Sequence, residues 1–149
     1  MNSMKTETRE FDNGSRTSYI CDDAGIQLRT TDYDADGNMI YDIHYEHNEL
    51  GDITGWKVYN RKGGMFRRFE VDYYSPGLES ENREYGEDGN LIRRTVHFYD
   101  SENMETEEHY YDAQGVLRGK GIIERDERGE YIETKYYDTE GNVLSNPAA

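Results

Sequence analysis

Three carboxylates alternate ahead of a glycine in Asp32-Tyr33-Asp34-Ala35-Asp36-Gly37, the pattern by which a calcium loop offers oxygen ligands from its first, third and fifth positions. Closing that shell takes a bidentate acid at the twelfth position, which here is Ile43, with only Asp42 beside it. The ligand set is incomplete, so a turn is the preferred reading and weak adventitious calcium the remaining one. Nucleophilic chemistry would need Cys21 or a serine near a base, and nothing adjacent in sequence would depress the Cys21 pKa. A packing cysteine is the simpler assignment. His44, His47, His97 and His109 show neither a metal-site spacing with cysteine nor a recurring acid partner. With 32 acidic residues in the chain, no two stand out as a glycosidase-like pair. These residues predict no catalytic site, no metal centre and no cofactor, and the protein is not expected to be an enzyme.

The elements that would position any such group follow from a repeat. Glycine, or once asparagine, recurs at Gly25, Gly37, Gly51, Gly63, Gly77, Gly89, Asn103, Gly115, Gly129 and Gly141, with gaps alternating between 12 and 14, which makes the unit 26 residues. Tyr33, Tyr59, Tyr85, Tyr111 and Tyr137 keep the same period, each four residues ahead of a glycine of the second kind. Between these points the chain is rich in Tyr, Ile, Val, Thr and Phe with partial alternation, as in Met39, Tyr41, Ile43, Tyr45, the signature of strands. A turn of about four residues leaves about eight per strand, an ordinary strand length, and no interval holds a useful helix. Short turns force antiparallel neighbours.

The prediction is an all-β fold: an antiparallel meander of 26-residue double-strand repeats, drawn as an elongated, twisted single-layer sheet, with a closed up-and-down barrel as the alternative. Two turn classes alternate between its edges, a short one ("YDADGN", "YGEDGN") and a longer, irregular one ("EHNELGD", "YYSPGL"). The early "FDNG" reads as a further turn slightly out of register, in a modified terminal repeat. About ten or eleven strands result. Residues 1–149 form one domain in this reading, with 1–24 as a cap repeat, 25–142 as regular repeats and 143–149 as a tail.

Hydrophobic residues make up 34% of the chain and mean hydropathy is -1.11, too polar for a deep core, so much of the sheet must stay wet. The 14 tyrosines suit that need, because each packs a ring while its hydroxyl stays hydrated. A net charge of -15 disfavours nucleic acid and anionic membrane as partners and would steer in a basic protein. The other reading of that charge is that it keeps an exposed sheet soluble. One cysteine allows no intrachain disulfide. The stretch "MNSMKTETREFDNG" has no apolar core of a signal peptide and no run approaches membrane length, so a cytoplasmic location is expected.

Arg67-Arg68 and Arg93-Arg94 stand one repeat apart, with Arg118 and Lys120 near the next equivalent place. They form either a basic stripe or one side of cross-strand ion pairs. If the short turns are four-residue connections, Glu81 faces Arg94, Glu107 faces Lys120, and Trp56 faces Arg67 in a cation–π stack. Trp56 is equally a contact hot spot, since Trp, Tyr and Arg dominate interfaces. The partner-binding candidates are therefore Trp56, the column Tyr33, Tyr59, Tyr85, Tyr111 and Tyr137, and Arg67 and Arg93. The tyrosine column could stack sugars or serve the packing of the sheet itself.

The recurring "YDADGNM", "YGEDGNL" and "YDTEGNV" resemble the YD repeats of Rhs-type polymorphic toxins and the MORN-like repeats of bacterial proteins regarded as antitoxins, from about Asp32 to Asn142. Rhs shells need far more chain than this, whereas the MORN-like resemblance implies an open single-layer meander and transfers no catalytic residue. Together with the charge it implies a non-catalytic interaction module of the immunity or antitoxin kind, covering a basic, toxin-like protein partner. Carbohydrate or cell-envelope binding through the tyrosine columns is the alternative. Homodimerisation by pairing of terminal edge strands stays open.

Overall fold

The computed structural model describes residues 4–144. Twelve strands follow one another: β1 (Lys5–Glu10), β2 (Arg16–Cys21), β3 (Gln27–Tyr33), β4 (Met39–His47), β5 (Ile53–Asn60), β6 (Met65–Ser75), β7 (Leu78–Gly86), β8 (Leu91–Tyr99), β9 (Glu105–Asp112), β10 (Leu117–Arg125), β11 (Tyr131–Asp138) and β12 (Val143–Leu144). They form a meander in which each strand bonds its neighbours in sequence, from β1 at one end of the order to β12 at the other. The sheet is open and not a barrel. Strand β12 arises within the stretch expected to be a tail, where Val143 pairs with Tyr137 and Leu144 with Tyr136. The rest of that predicted tail, 145–149, lies outside the described residues.

The chain divides into two compact units, Met1–Glu70 with Tyr85–Gly89, and Val71–Glu84 with Asn90–Ala149. Burial is shallow. Among the described residues Val71 is the one large apolar side chain that is buried, beside the polar Thr17, Thr30, Thr31 and Asp42. Most strand residues are half-buried, as the composition requires, so cross-strand pairs worth about 0.2–1 kcal/mol each supply much of the cohesion.

The turns correct the expected division into short and long classes, because both edges use the same closure. Asp34 N–H donates to Asn38 C=O at 2.9 Å and Gly37 N–H to Asp34 C=O at 3.0 Å; on the other edge Asp22 and Ile26 exchange the same bond, with Gly25 bonding back to Asp22. The glycine takes a positive φ, +84° at Gly37, and Asn103 stands in with φ 62° as the residue type best able to do so after glycine. An Asp or Asn three residues before the glycine fixes the loop: Asp34 Oδ1 accepts the amides of Asp36 and Asn38, and Asn48, Asp100, Asp112, Asp126 and Asp138 repeat the arrangement. Of the carboxylates that resemble a calcium loop, Asp34 is therefore occupied by its own backbone, and Asp32 accepts the Thr17 hydroxyl at 2.7 Å. Asp34 is held below the usual carboxylate range, chiefly by the Asn38 amide.

Each such turn encloses one residue more than a four-residue connection, and a bulge beyond it adds another, as between Val58 and Tyr59 or between Leu117 and Gly119. A one-residue slip would turn every side chain to the other face, but two restore the face and move each partner along by two. Hence Trp56 faces Phe69, not Arg67, and Lys120 faces His109, not Glu107. The expected Arg94–Glu81 ion pair does form, at 2.7 Å.

Candidate functional site

Directly paired residues share a face of a sheet, and the register sorts each unit into two unlike surfaces. In the first unit one face carries Ile43 opposite Val58, Tyr45 opposite Trp56, and Trp56 opposite Phe69. The Trp56 and Phe69 rings stack at 4.6 Å with 16° between planes, and the Tyr41 and Phe66 rings meet at 5.4 Å. None of these seven side chains is fully buried, and Tyr41 is 42% exposed. Arg67 lies on this face, its guanidinium 5.5 Å from the Phe66 ring centre and Nη1 donating to the Phe66 carbonyl at 2.8 Å. The bulge at the start of β6 places Phe66 and Arg67 side by side, something no strict alternation would predict.

The opposite face carries charge and the tyrosine column. Arg16 sits over Tyr33 at 4.7 Å and Arg68 over Tyr85 at 4.0 Å. Tyr59 faces Asp42, and the His44 ring covers it at 4.9 Å. The second unit repeats the motif, with Arg94 over Tyr111 at 4.2 Å and Lys120 paired with Tyr137. Arg16, Arg68, Arg94 and Lys120 are spaced by multiples of 26 residues, so the repeat specifies a cation against each column ring except at Asp42. The tyrosines are thus brought together with the protein's own cations, each such contact worth about 0.5–1 kcal/mol at exposed sites. Arg93 stands apart from that stripe; it faces Asp112 and holds Glu84 at 3.1 Å.

Asp42 organises its surroundings. Its carboxylate takes Arg29 Nε and Nη2 at 2.7 Å each, His44 Nε2 at 2.9 Å and the Thr31 hydroxyl at 3.0 Å. Burial alone would push the Asp42 pKa up; bonds from Arg29, His44 and Thr31 outweigh it, and the pKa falls below the ordinary value.

In the second unit the face away from Tyr111 holds a cluster that sequence reasoning missed. His97 faces Glu108 and Tyr99 faces Glu105 across β8 and β9. His97 Nδ1 lies 2.6 Å from Glu105 and 3.7 Å from Glu108, its Nε2 is 3.5 Å from Glu79 and 3.0 Å from Asn82 Nδ2, and its side chain is 11% exposed. The Tyr110 hydroxyl bonds Glu108, and the Tyr99 hydroxyl donates to the Glu79 carbonyl. Burial, reinforced by Glu108, raises the Glu105 carboxyl above its usual value despite His97, and burial is also what raises Tyr99 to about 12. Three of the four histidines have acid partners, each in a single repeat and none recurring with the period: His44 with Asp42, His109 with Glu107 and His97 with Glu105. The signal was present as acids two residues away or on the facing strand, and it could be read only with the correct register. Cys21 is a half-buried free thiol.

No family model matches the chain, and no curated protein does. Solved structures that resemble it include a porin-like protein from Bacteroides uniformis, at 10% identity and a TM-score of 0.43 over 92% of this chain. A Tc holotoxin pore from Photorhabdus luminescens gives 10% identity and 0.28 over 87%, and TcdB2-TccC3-TEV 12% and 0.28 over 90%. The chain spans about half of the porin-like protein, 55%, and only 11% and 10% of the two toxin chains. The chain's own coordinates show an open all-β repeat meander.

Proposed function

We propose that this protein is a non-catalytic interaction module that binds a basic protein partner, in the manner of an immunity protein or antitoxin. The observation that carries the reading is the aromatic face of the first unit. Tyr41, Tyr45, Trp56, Phe66 and Phe69 leave part of their surface in water, and the acidic turns flanking them include the exposed Asp36 and Glu49. An aromatic centre with a polar rim is the anatomy of a protein interface. The charge gives the partner's sign. Arg29, Arg68, Arg83, Arg94 and Arg118 are tied to the sheet's own carboxylates, so the excess that makes up -15 is what an incoming surface meets.

Sugar stacking on the tyrosine column draws less support, because the rings of Tyr33, Tyr85 and Tyr111 already carry Arg16, Arg68 and Arg94. Affinity capture from the source cells, with the native chain and a Trp56→Ala, Tyr45→Ala double variant as baits, tests the proposal. A basic protein retained by the native bait, released by salt and lost with the variant, is expected. Recovery of acidic partners only, or of none, would refute it.

A further inference from the structure

We propose that His97, Glu105 and Glu108 form a binding site for one divalent transition-metal ion, with Zn²⁺ as the favoured occupant. The candidate ligand atoms, one from each residue, lie within 4.8 Å of one another. The His97 Nδ1 distances of 2.6 Å to Glu105 and 3.7 Å to Glu108 bracket the separation of about 3.3 Å that tetrahedral Zn²⁺ with bonds near 2.0–2.1 Å imposes on its ligands. The 2.6 Å contact is a hydrogen bond, so the ion takes the place of its proton and the Glu105 carboxylate moves outward to make room. Imidazole nitrogen with two carboxylates favours Zn²⁺ and its neighbours over the all-oxygen preferences of Ca²⁺ and Mg²⁺.

The surroundings are those of a ligand set and not of an incidental acid patch. With Nδ1 on the ion, Nε2 carries the proton and points at Glu79 Oε2 at 3.5 Å, the carboxylate–histidine–metal arrangement that fixes the ligand tautomer. Asn82 can present its amide oxygen to the same N–H, and the Tyr110 hydroxyl orients Glu108 from behind. Among the described residues neither Glu105 nor Glu108 has an ion pair with Lys or Arg, so two carboxylates share the site with one imidazole.

The repeat supplies an independent argument. The positions equivalent to His97 in the other repeats are Tyr19, Tyr45, Val71 and Ile123, all apolar or aromatic, and those equivalent to Glu108 are Thr30, Trp56, Asn82 and Thr134. This repeat alone breaks the apolar pattern at the first position with a histidine, and it alone sets a carboxylate at the second, facing it across β8 and β9. Breaks in a consistent pattern mark places where something other than folding sets the residue.

Calorimetric titration of the full chain with ZnCl₂ at neutral pH, after chelator treatment, tests the site. One saturable site is expected, silent to MgCl₂ and CaCl₂. His97→Val, which places there the residue found one repeat earlier, and Glu105→Gln should each abolish it. Glu79→Gln should weaken it by about tenfold or more through the outer shell, and His109→Ala should leave it unchanged. Circular dichroism confirms which variants fold, and either ligand variant that does so decides the outcome. No saturable uptake, uptake undiminished by a folded ligand variant, or equal uptake of CaCl₂ would overturn the assignment.

Discussion

Replacing Asp42 by alanine is the sharpest test of the charged face, because one carboxylate there accepts four hydrogen bonds. The Asp42 side chain is 11% exposed, whereas Arg29 and His44 are 44% and 46% exposed and would rehydrate once released. Thr31 is buried and would lose its acceptor. Bonds to charged groups contribute about 1.5–3 kcal/mol, but exposed partners recover much of that from water. A net loss of about 2 kcal/mol is therefore expected for Asp42→Ala, which at about 2–4 °C per kcal/mol lowers Tm by about 4–8 °C. The pH dependence has a definite sign. The folded pKa of Asp42 lies below its ordinary value, so its stabilisation is complete above about pH 4 and is lost as the pH falls through the folded pKa. Thermal melts followed by far-ultraviolet circular dichroism at pH 7 and pH 2.5 provide the assay. The gap between the native chain and the variant at pH 7 should narrow in acid. A variant that melts within about 1 °C of the native chain at pH 7, or a gap unchanged in acid, would refute the account of these bonds.

Three further outcomes follow from other parts of the sheet. A Cβ at Gly121 would stand 2.9 Å from the Tyr110 hydroxyl and 3.0 Å from the Thr134 methyl, so Gly121→Ala should destabilise by about 1–3 kcal/mol in urea unfolding; an unchanged midpoint would contradict the packing. Asn103 has φ 62°, so Asn103→Ala should lose about 1 kcal/mol while Asn103→Gly should not, and equal midpoints for the two would argue against the left-handed turn. Tyr99 is raised to about 12, first by burial and then by Glu105, Glu79 and Glu108, so its contribution to stability is intact below about pH 10 and disappears as the pH climbs through the folded value. Phenolate absorbance should show a late-titrating class that shrinks in Tyr99→Phe, and a single unperturbed titration for all tyrosines would rule this out.

The repeat made the architecture legible. Glycine spacing located the turns, including the one where Asn103 replaces glycine, and the tyrosine period located the strand ends. Partners were less legible, because they depend on residues that add nothing to a hydropathy pattern. The turn that Asn60 closes is one residue longer than a four-residue connection, and the bulge beyond it is invisible in alternation, so Trp56 found Phe69 where Arg67 was expected. The tyrosine column and the stripe of arginines were both visible, and their stacking on each other was not, since it takes the true register to bring Arg94 to Tyr111. The cluster at His97 was hidden for the same reason: Glu105 and Glu108 reach it from the facing strand.

Every hydrogen-bonded neighbour in this sheet is the next strand along the chain, and even the far end of a hairpin, such as Gly119 with Asp138, joins residues only nineteen apart. Chain closure is thus short everywhere, so this β protein should fold at rates nearer those of helical bundles than of sandwiches. Assembly can begin at any hairpin and advance outward one ribbon at a time, and dissolution can run the same way from either end.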